Sequence, residues 1–342
     1  MASPRTSTQI QLVRRPSGWP TTDDVRTVTV ELPDLEDGQV RVANEFLSVD
    51  PYMRGRMNDV KSYTPPYALG ETMTGGAVGR VVESRSNDVP VGAVVVHQEG
   101  WRDLTQGDAA GFRVVEEIPG VPNSAYLSVL GMTAFTAFVG LKEIAQLTQG
   151  DAVFVSGAAG AVGSMVGQIA RLTGASRVIG SAGSAEKVAL LTEKYGFDAA
   201  FNYKDGPVAE QLAAAAPQGI DVYFDNVGGE HLEAALGAFN DGGRGALCGA
   251  IADYNSTEKP VGPKNMANIV TRGLTLKGFT VGNYTRHFPE FISQMSTWLQ
   301  NGDVVFDETV VDGIENTFDA FLQLMQGANT GKMVVRVAAP QA

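Results

Sequence analysis

The period of apolar and polar positions changes along the chain. In residues 1–122, short alternating runs at 25–32, 39–46, 76–82 and 93–97 are separated by Pro, Gly and Asp turns. Period two between turn residues predicts strands, and few helices are evident there, so this part reads as β-rich. From 127 to 144 the pattern becomes helical, and Gln149-Gly150-Asp151 turns the chain into a short apolar run at 152–155. A segment with Met165, Ile169 and Leu172 at helical spacing follows. Beyond it come a strand at 177–180, a helix at 185–195, a strand at 199–202 and a helix at 207–216. A strand at 220–225, a helix at 229–239, a strand at 243–248 and, after a long loop, a strand at 274–280 complete the series. Such alternation predicts a parallel, doubly wound α/β sheet. The tail, 304–337, returns to short strands around one helix at 314–326 and is expected to rejoin the first part.

A chain of 342 residues exceeds one ordinary core, so two domains are expected: 1–122 with 302–342, and 123–301. The net charge of -12 argues against nucleic acid or an anionic membrane as partner. Arg5, Arg14 and Arg15 are not followed by an apolar stretch, so no signal peptide is expected, and no apolar run approaches the ~20 residues of a membrane span. The single cysteine, Cys248, excludes an intramolecular disulfide and a Cys-rich zinc site and suits a cytoplasmic protein.

The candidate chemistry begins where the series of strands and helices begins. After the apolar run stands Ala158-x-Gly160-x-x-Gly163, preceded by Gly157. Strand, glycine turn and helix in this order open a dinucleotide-binding unit. Ala158 can occupy the tight-turn position if its φ stays negative. Gly160 keeps a Cβ away from a pyrophosphate, and Gly163 lets the helix pack closely. N–H groups at the helix start, those of Ala161 and Val162 among them, then face an anion. A glycine-rich turn without a ligand has the same local pattern. A unit that takes NAD places Asp or Glu at the end of the second strand, ~20 residues on, for the ribose 2′-hydroxyl. Here Gly180, Ser181, Ala182, Gly183 and Ser184 stand there, with Lys187 as the nearest strong cation. An absent acid with an added cation and hydroxyl points to NADPH, although Lys187 would serve equally as an exposed helix lysine. In a doubly wound sheet, ligands lie at the carboxyl ends of the strands. Those ends carry Tyr203, Asp225-Asn226, Cys248-Gly249 with Tyr254, and Phe279-Thr280-Val281.

The motifs VDPYMRGRM (49–57), GAAGAVG, GSAEKVALL, FNYK (201–204), DVYFDNVGGE (221–230), CGAIADYN (248–255) and GANTGK (327–332) occur in one order along nearly the whole chain. Together they resemble the zinc-free medium-chain dehydrogenases/reductases of the leukotriene/prostaglandin reductase and alkenal/curcumin double-bond reductase family. The resemblance implies a Rossmann sheet with a β-rich, GroES-like barrel domain, NADPH as cofactor, and a homodimer joined at the last strand of the sheet. Lys187 and Tyr203, beside Ser184, would hold the adenosine phosphate. Asn226, Cys248, Gly249, Ala250 and Ile251, then Phe279, Thr280 and Val281, and finally Asn329, would line the rest of the cofactor. Tyr52 and Tyr254 would flank an unsaturated carbonyl substrate.

Zinc can be tested by subtraction, since a catalytic ion needs about three protein ligands. Zinc alcohol dehydrogenases carry a cysteine where Leu47 stands, and a histidine between the counterparts of Gly70 and Glu71. His97, His231 and His287 are scattered and read as surface or loop histidines. With no metal to polarise it, the substrate must already be electrophilic, as a small-molecule enone or enal is. Hydride adds at the β-carbon, and a phenol O–H or a ribose hydroxyl stabilises the enolate oxygen. Tyr254 is the first choice of donor and Tyr52 the second. A related quinone reductase shares the fold, the cofactor and the absence of zinc. A non-catalytic NADPH-binding protein is the remaining alternative.

Overall fold

A computed structural model describes residues 5–337, so the outer ends of the expected segments 1–122 and 302–342 lie outside the described residues. The chain divides into two compact units, Met1–Leu127 with Glu308–Ala342, and Ser128–Asp307. The divisions fall a few residues beyond 122 and 301. Segment 302–307 stays with the second unit because Gln168 bonds both the N–H and the carbonyl of Val305, and Lys194 pairs with Asp307 at 2.7 Å.

The first unit begins with β1 (Thr6–Leu12) and β2 (Val25–Glu31), an antiparallel pair. It continues through β3 (Gln39–Ser48), α1 (Tyr52–Arg56), β4 (Ala77–Ser84), β5 (Val94–His97), β6 (Leu104–Asp108) and β7 (Arg113–Val115). β3 is the spine, antiparallel to both β4 and β6. Its alternation buries Val40 and Val42 against Val81, Val89, Val95 and Phe112. β1 escapes the sequence pattern because its buried side carries polar residues: Ser7 donates to the Leu104 carbonyl at 2.6 Å and Gln9 donates to Ser7.

The second unit opens with α2 (Met132–Val139), extended by a π turn at Gly140–Ile144. Then follow β8 (Ala152–Val155), α3 (Ala161–Leu172), β9 (Arg177–Ala182), α4 (Ala185–Glu193) and β10 (Ala199–Asn202). α5 (Val208–Ala215), β11 (Ile220–Asp225), α6 (Gly229–Ala238), β12 (Phe239–Leu247), α7 (Ala267–Thr271), β13 (Thr275–Gly278) and α8 (Phe288–Asn301) complete it. The strands form one parallel sheet in the order β10-β9-β8-β11-β12-β13. The winding reverses between β8 and β11, which is where a doubly wound sheet opens a crevice at its carboxyl edge. On one face Phe154 stacks on Tyr223 and Phe201, with ring centroids 5.2 and 5.9 Å apart. α8 is absent from the sequence reading. It buries Phe291 and Met295 and sets Phe288 and Phe291 against Phe135. Met165 and Ile169 are buried as the helical spacing requires, whereas Leu172, the last residue of α3, is 39% exposed. Among the described residues no helix is long and apolar enough to cross a membrane.

The chain then returns to the first unit with β14 (Glu308–Asp312), α9 (Thr317–Met325) and β15 (Lys332–Arg336). β15 is antiparallel to β3 and parallel to β14, giving the order β14-β15-β3-β4-β5-β7, with β6 on β3 off this path.

Phe154 is fully buried between two aromatic rings. Phe154→Ala should therefore lower stability by ~3–5 kcal/mol, as large-to-small core changes do, measured by chemical denaturation of parent and variant. A loss under ~1 kcal/mol would show that the stacked face does not hold this unit together.

Candidate functional site

β8 ends in a turn whose shape its own residues dictate. Gly157 has φ 59°, the left-handed region that favours glycine, while Ala158 keeps a negative φ. Ala158 N–H donates to the Ser181 carbonyl at 2.9 Å, fixing the turn to β9. A Cβ on Gly163 would lie 2.5 Å from the Gly157 carbonyl oxygen, so glycine is required for α3 to pack on the turn. A Cβ on Gly160 would meet nothing nearer than 3.4 Å. Protein packing therefore does not demand that second glycine, and the open space beside it can admit a ligand. α3 begins at Ala161 with no side-chain cap. N–H groups in the first turn of a helix have no partner within it, and those of Ala161, Val162 and Gly163 belong to that turn. The turn fits a phosphate group.

At the end of β9, Ser184 caps α4: its Oγ accepts the Lys187 N–H at 3.3 Å. Gly183 lies against Tyr203, whose hydroxyl would sit 2.9 Å from a Cβ there, and Tyr203 N–H bonds the Ala182 carbonyl. Burial of the Lys187 ammonium and the charge of Lys204 both push its pKa down. Lys204 stands 5.9 Å over the Tyr203 ring and has no ion pair among the described residues. Two lysines and a phenol thus gather where a unit taking NAD would place a carboxylate. Lys204 escaped the sequence reading although it ends the FNYK motif; its place directly after Tyr203 was the available signal. His231 meets the Tyr203 ring edge-on at 5.3 Å.

The middle of the carboxyl edge is built on Asp225, 2% exposed. Its Oδ1 accepts from the Tyr223 hydroxyl at 2.7 Å, from Ser156 Oγ at 3.2 Å, and from the N–H groups of Val227 and Gly228 at 3.0 and 2.7 Å. Asn226 donates both its N–H and its Nδ2 to Ser156. The next loop is tied to this one through the backbone. Cys248 and Gly249 N–H bond the Asp225 carbonyl, Ile251 N–H bonds that of Asn226, and Ala252 N–H that of Val227. Asn226 and the run from Cys248 to Ile251 are therefore one assembly. Burial, then Asp225, pushes the Cys248 thiol up to about 12, so it stays protonated.

Tyr254 closes this loop, and its hydroxyl lies beside Gly249: a Cβ there would be 3.1 Å from the phenol oxygen. The Ala250 backbone hydrogen-bonds that oxygen, and burial raises the phenol pKa. The hydroxyl remains protonated and keeps its proton to donate. A cavity of about 470 Å³ is lined by Gly228, Gly229, Cys248, Tyr254 and the run from Pro260 to Pro263. Past β13, Phe279 meets Phe224 edge-on at 6.2 Å, and Thr280 Oγ1 accepts the Asn283 amide. Val281 starts the following turn of helix.

Tyr52 and Asn329 belong to the antiparallel unit. Tyr52 is the first residue of α1, and burial followed by the charge of Asp50 raises its phenol pKa. Asn329, 7% exposed, donates its amide to the Gly331 carbonyl at 2.8 Å.

Two histidines differ from the sequence expectation of surface or loop positions: His97 is 2% and His231 4% exposed. His97 closes β5 as a hydrogen-bonded core residue, with Nε2 on Asn44 Oδ1 at 2.8 Å and Nδ1 accepting the Glu99 N–H. Burial lowers its pKa to about 3 and that of His231 to about 4, so both are neutral at pH 7. Among the described residues no three His, Cys, Asp or Glu side chains gather as metal ligands. Leu47, at the position compared with a zinc cysteine, is a fully buried apolar residue of β3.

Two family models match the chain: the N-terminal domain of oxidoreductase over residues 8–115, and zinc-binding dehydrogenase over 161–297. Among the described residues of the second span, no set of His, Cys, Asp and Glu side chains gathers to hold the ion in that description. The chain is 40% identical to the NADPH-dependent curcumin reductase of Escherichia coli, over 96% of each protein. It is 41% identical to prostaglandin reductase 1 of Bos taurus, over 93% of this chain and 95% of that one. The crystal structure of CurA from Vibrio vulnificus in complex with NADPH matches with TM-score 0.92 at 40% identity, over 97% of this chain and 100% of the other. Identity of this extent over nearly the full length means that the chain belongs to the zinc-free alkenal/curcumin reductase family of the medium-chain dehydrogenases/reductases.

Proposed function

We propose that the protein is an NADPH-dependent reductase of the carbon–carbon double bond of α,β-unsaturated ketones and aldehydes. The observation that carries this reading is the end of β9: no carboxylate, and Lys187 and Lys204 beside Tyr203 and Gly183. The names of the curcumin and prostaglandin reductase relatives support the substrate class. Bound NADPH supplies a hydride, delivered to the β-carbon of the substrate.

In this reading the turn at Ala158, Gly160, Ala161, Val162 and Gly163 holds the pyrophosphate. Lys187 and Tyr203 hold the 2′-phosphate, with Ser184 fixing the start of α4. Asn226 and the loop from Cys248 to Ile251 line the nicotinamide half, together with Phe279, Thr280 and Val281. Asn329 takes its cofactor role, and Tyr52 its substrate role, from the family resemblance. Tyr254 donates a hydrogen bond from its hydroxyl to the carbonyl oxygen as negative charge develops there. The raised phenol pKa supports a donor that is not ionised at neutral pH. The α-carbon then takes a proton from a tyrosine or from solvent.

The Ser128–Asp307 unit is the cofactor-binding domain, and the antiparallel unit serves the substrate. The protein is a homodimer, because β13 ends the parallel sheet as an edge with Thr275, Lys277 and Gly278 exposed, and exposed edges invite pairing. It works in the cytoplasm, where a lone unpaired thiol such as Cys248 persists.

NADPH should be strongly preferred to NADH. Lys187→Ala should raise the NADPH Michaelis constant roughly tenfold, in line with loss of one charge-assisted contact, and leave NADH almost unchanged. Equal use of both cofactors by the parent protein would refute the phosphate assignment.

Tyr254→Phe should lower kcat by ~10²-fold while leaving the NADPH dissociation constant within a few-fold. Deuterium from C4-labelled NADPH should appear at the β-carbon of the product and solvent deuterium at the α-carbon. Label at the carbonyl carbon, or NADPH consumption with quinones and with no enone, would replace this reading. In light scattering at micromolar concentration the mass should be that of two chains; a monomer mass would overturn the dimer.

A further inference from the structure

The site residues of the antiparallel unit, Tyr52 and Asn329, stand on either side of one buried ion pair. Asp50 lies just ahead of Tyr52 and Lys332 just after Asn329. Asp50 is 3% and Lys332 2% exposed, and Lys332 Nζ stands 3.2 Å from Asp50 Oδ1. The same ammonium donates to the Val49 and Met333 carbonyls, both at 2.7 Å. Three acceptors match its three N–H bonds. Ser48 Oγ donates to the other oxygen of Asp50, Oδ2. The Ser48 carbonyl is in turn held by Trp101 Nε1 at 3.1 Å. With every polar atom engaged, neither side chain is left to act on a substrate.

Stability does not account for such a pair. Apolar side chains of equal volume generally serve a buried position as well as an ion pair or better. What the pair supplies is a fixed geometry on both sides of it. On one side the Asp50 carbonyl accepts the Met53 N–H at 3.2 Å, so the carboxylate anchor is also the first support of α1. α1 has five residues and no side-chain cap, too short to hold its own place. On the other side the loop that carries Asn329 is bracketed by Gly327 (φ 71°) and Gly331 (φ 62°). The loop is also tied to Thr309, whose hydroxyl bonds the backbone of Thr330, and to the end of α9, where the Gly327 and Ala328 N–H groups bond the Leu324 and Gln323 carbonyls.

We propose that Asp50 and Lys332 are positioning residues, whose ion pair sets the start of α1 and the 327–331 loop in one fixed arrangement, so that Tyr52 and Asn329 share one anchor. The inference deepens the site reading above and rests on it for the roles of Tyr52 and Asn329. It accounts for two motifs far apart in sequence, VDPYMRGRM and GANTGK, which contribute one partner each.

The test replaces the charges by a neutral pair, Asp50→Asn with Lys332→Met, in the full-length protein. The variant should remain folded by circular dichroism. Amide hydrogen exchange should accelerate at least tenfold in both 51–57 and 327–331. With trans-2-hexenal as probe, kcat should fall at least tenfold, and the NADPH dissociation constant, from fluorescence titration, should rise at least threefold. Lys332→Arg alone, which keeps the charge, should recover most of both losses. The proposal is overturned if the folded neutral variant keeps kcat and the dissociation constant within twofold of the parent, or if exchange accelerates in one segment only. Should that variant fail to fold, Asp50→Glu, which keeps both charges and shifts the carboxylate by one methylene, is judged by the same readouts. A parent protein that consumes no NADPH with any enone defeats the functional reading instead, and the exchange measurement still decides the positioning role.

Discussion

A carboxylate removed from water must be compensated or it costs several kcal/mol, and the compensation of Asp225 shapes the carboxyl edge of the parallel sheet. Burial alone raises its pKa, and hydrogen bonds from Gly228, Tyr223, Val227 and Ser156 oppose that rise. These donors come from β11, from the turn after β8 and from the turn after β11 itself. Holding one anion therefore fixes the spacing of the two turns that flank the crevice. The carbonyl of the same residue takes the N–H groups of Cys248 and Gly249, which brings the loop after β12 into register. A residue that need not touch a ligand thus decides where Asn226 and Tyr254 stand.

Glycine enters this edge for different reasons at different places. At Gly157 the backbone conformation requires it, and at Gly163 the approach of helix to turn does. At Gly160 the protein itself requires nothing, and the space a Cβ would fill lies open. Gly249 belongs to a third kind, since a side chain there would press on the Tyr254 hydroxyl. One residue type thus serves conformation, packing and access, and only coordinates separate the three.

Much of the fold was legible because it follows from periodicity. The apolar runs of β8 and β11 are buried on both faces of the sheet, and a continuous apolar run between turn residues is the plain signal of such a strand. β1 was not legible because Ser7 and Gln9 stand where apolar residues are expected, made tolerable by hydrogen bonds that a sequence does not display. α8 was missed because its buried positions are few, Phe291 and Met295, within a polar stretch. His97 and His231 depart from the expected surface or loop positions for a related reason. His97 is paid for by Asn44 and the Glu99 N–H, partners far away or on the backbone. In the site, the glycine turn and Lys187 follow from local spacing, whereas Lys204 needed the neighbourhood of a second loop.

The electrostatics of the cofactor site run against those of the whole chain. A net charge of -12 repels a polyanionic cofactor at long range, yet the Debye length at physiological ionic strength is only about 8 Å. Carboxylates farther away than that are largely screened, while Lys187, half-buried and close to Lys204, is not. Beside burial, the proximity of Lys204 lowers the Lys187 pKa, and on the proposed reading a 2′-phosphate bound there would relieve that repulsion. Such relief would add to the direct attraction, and NADH, lacking the phosphate, would gain neither. On that reading, cofactor choice is a local property of two loops, set against the charge of the molecule that carries them.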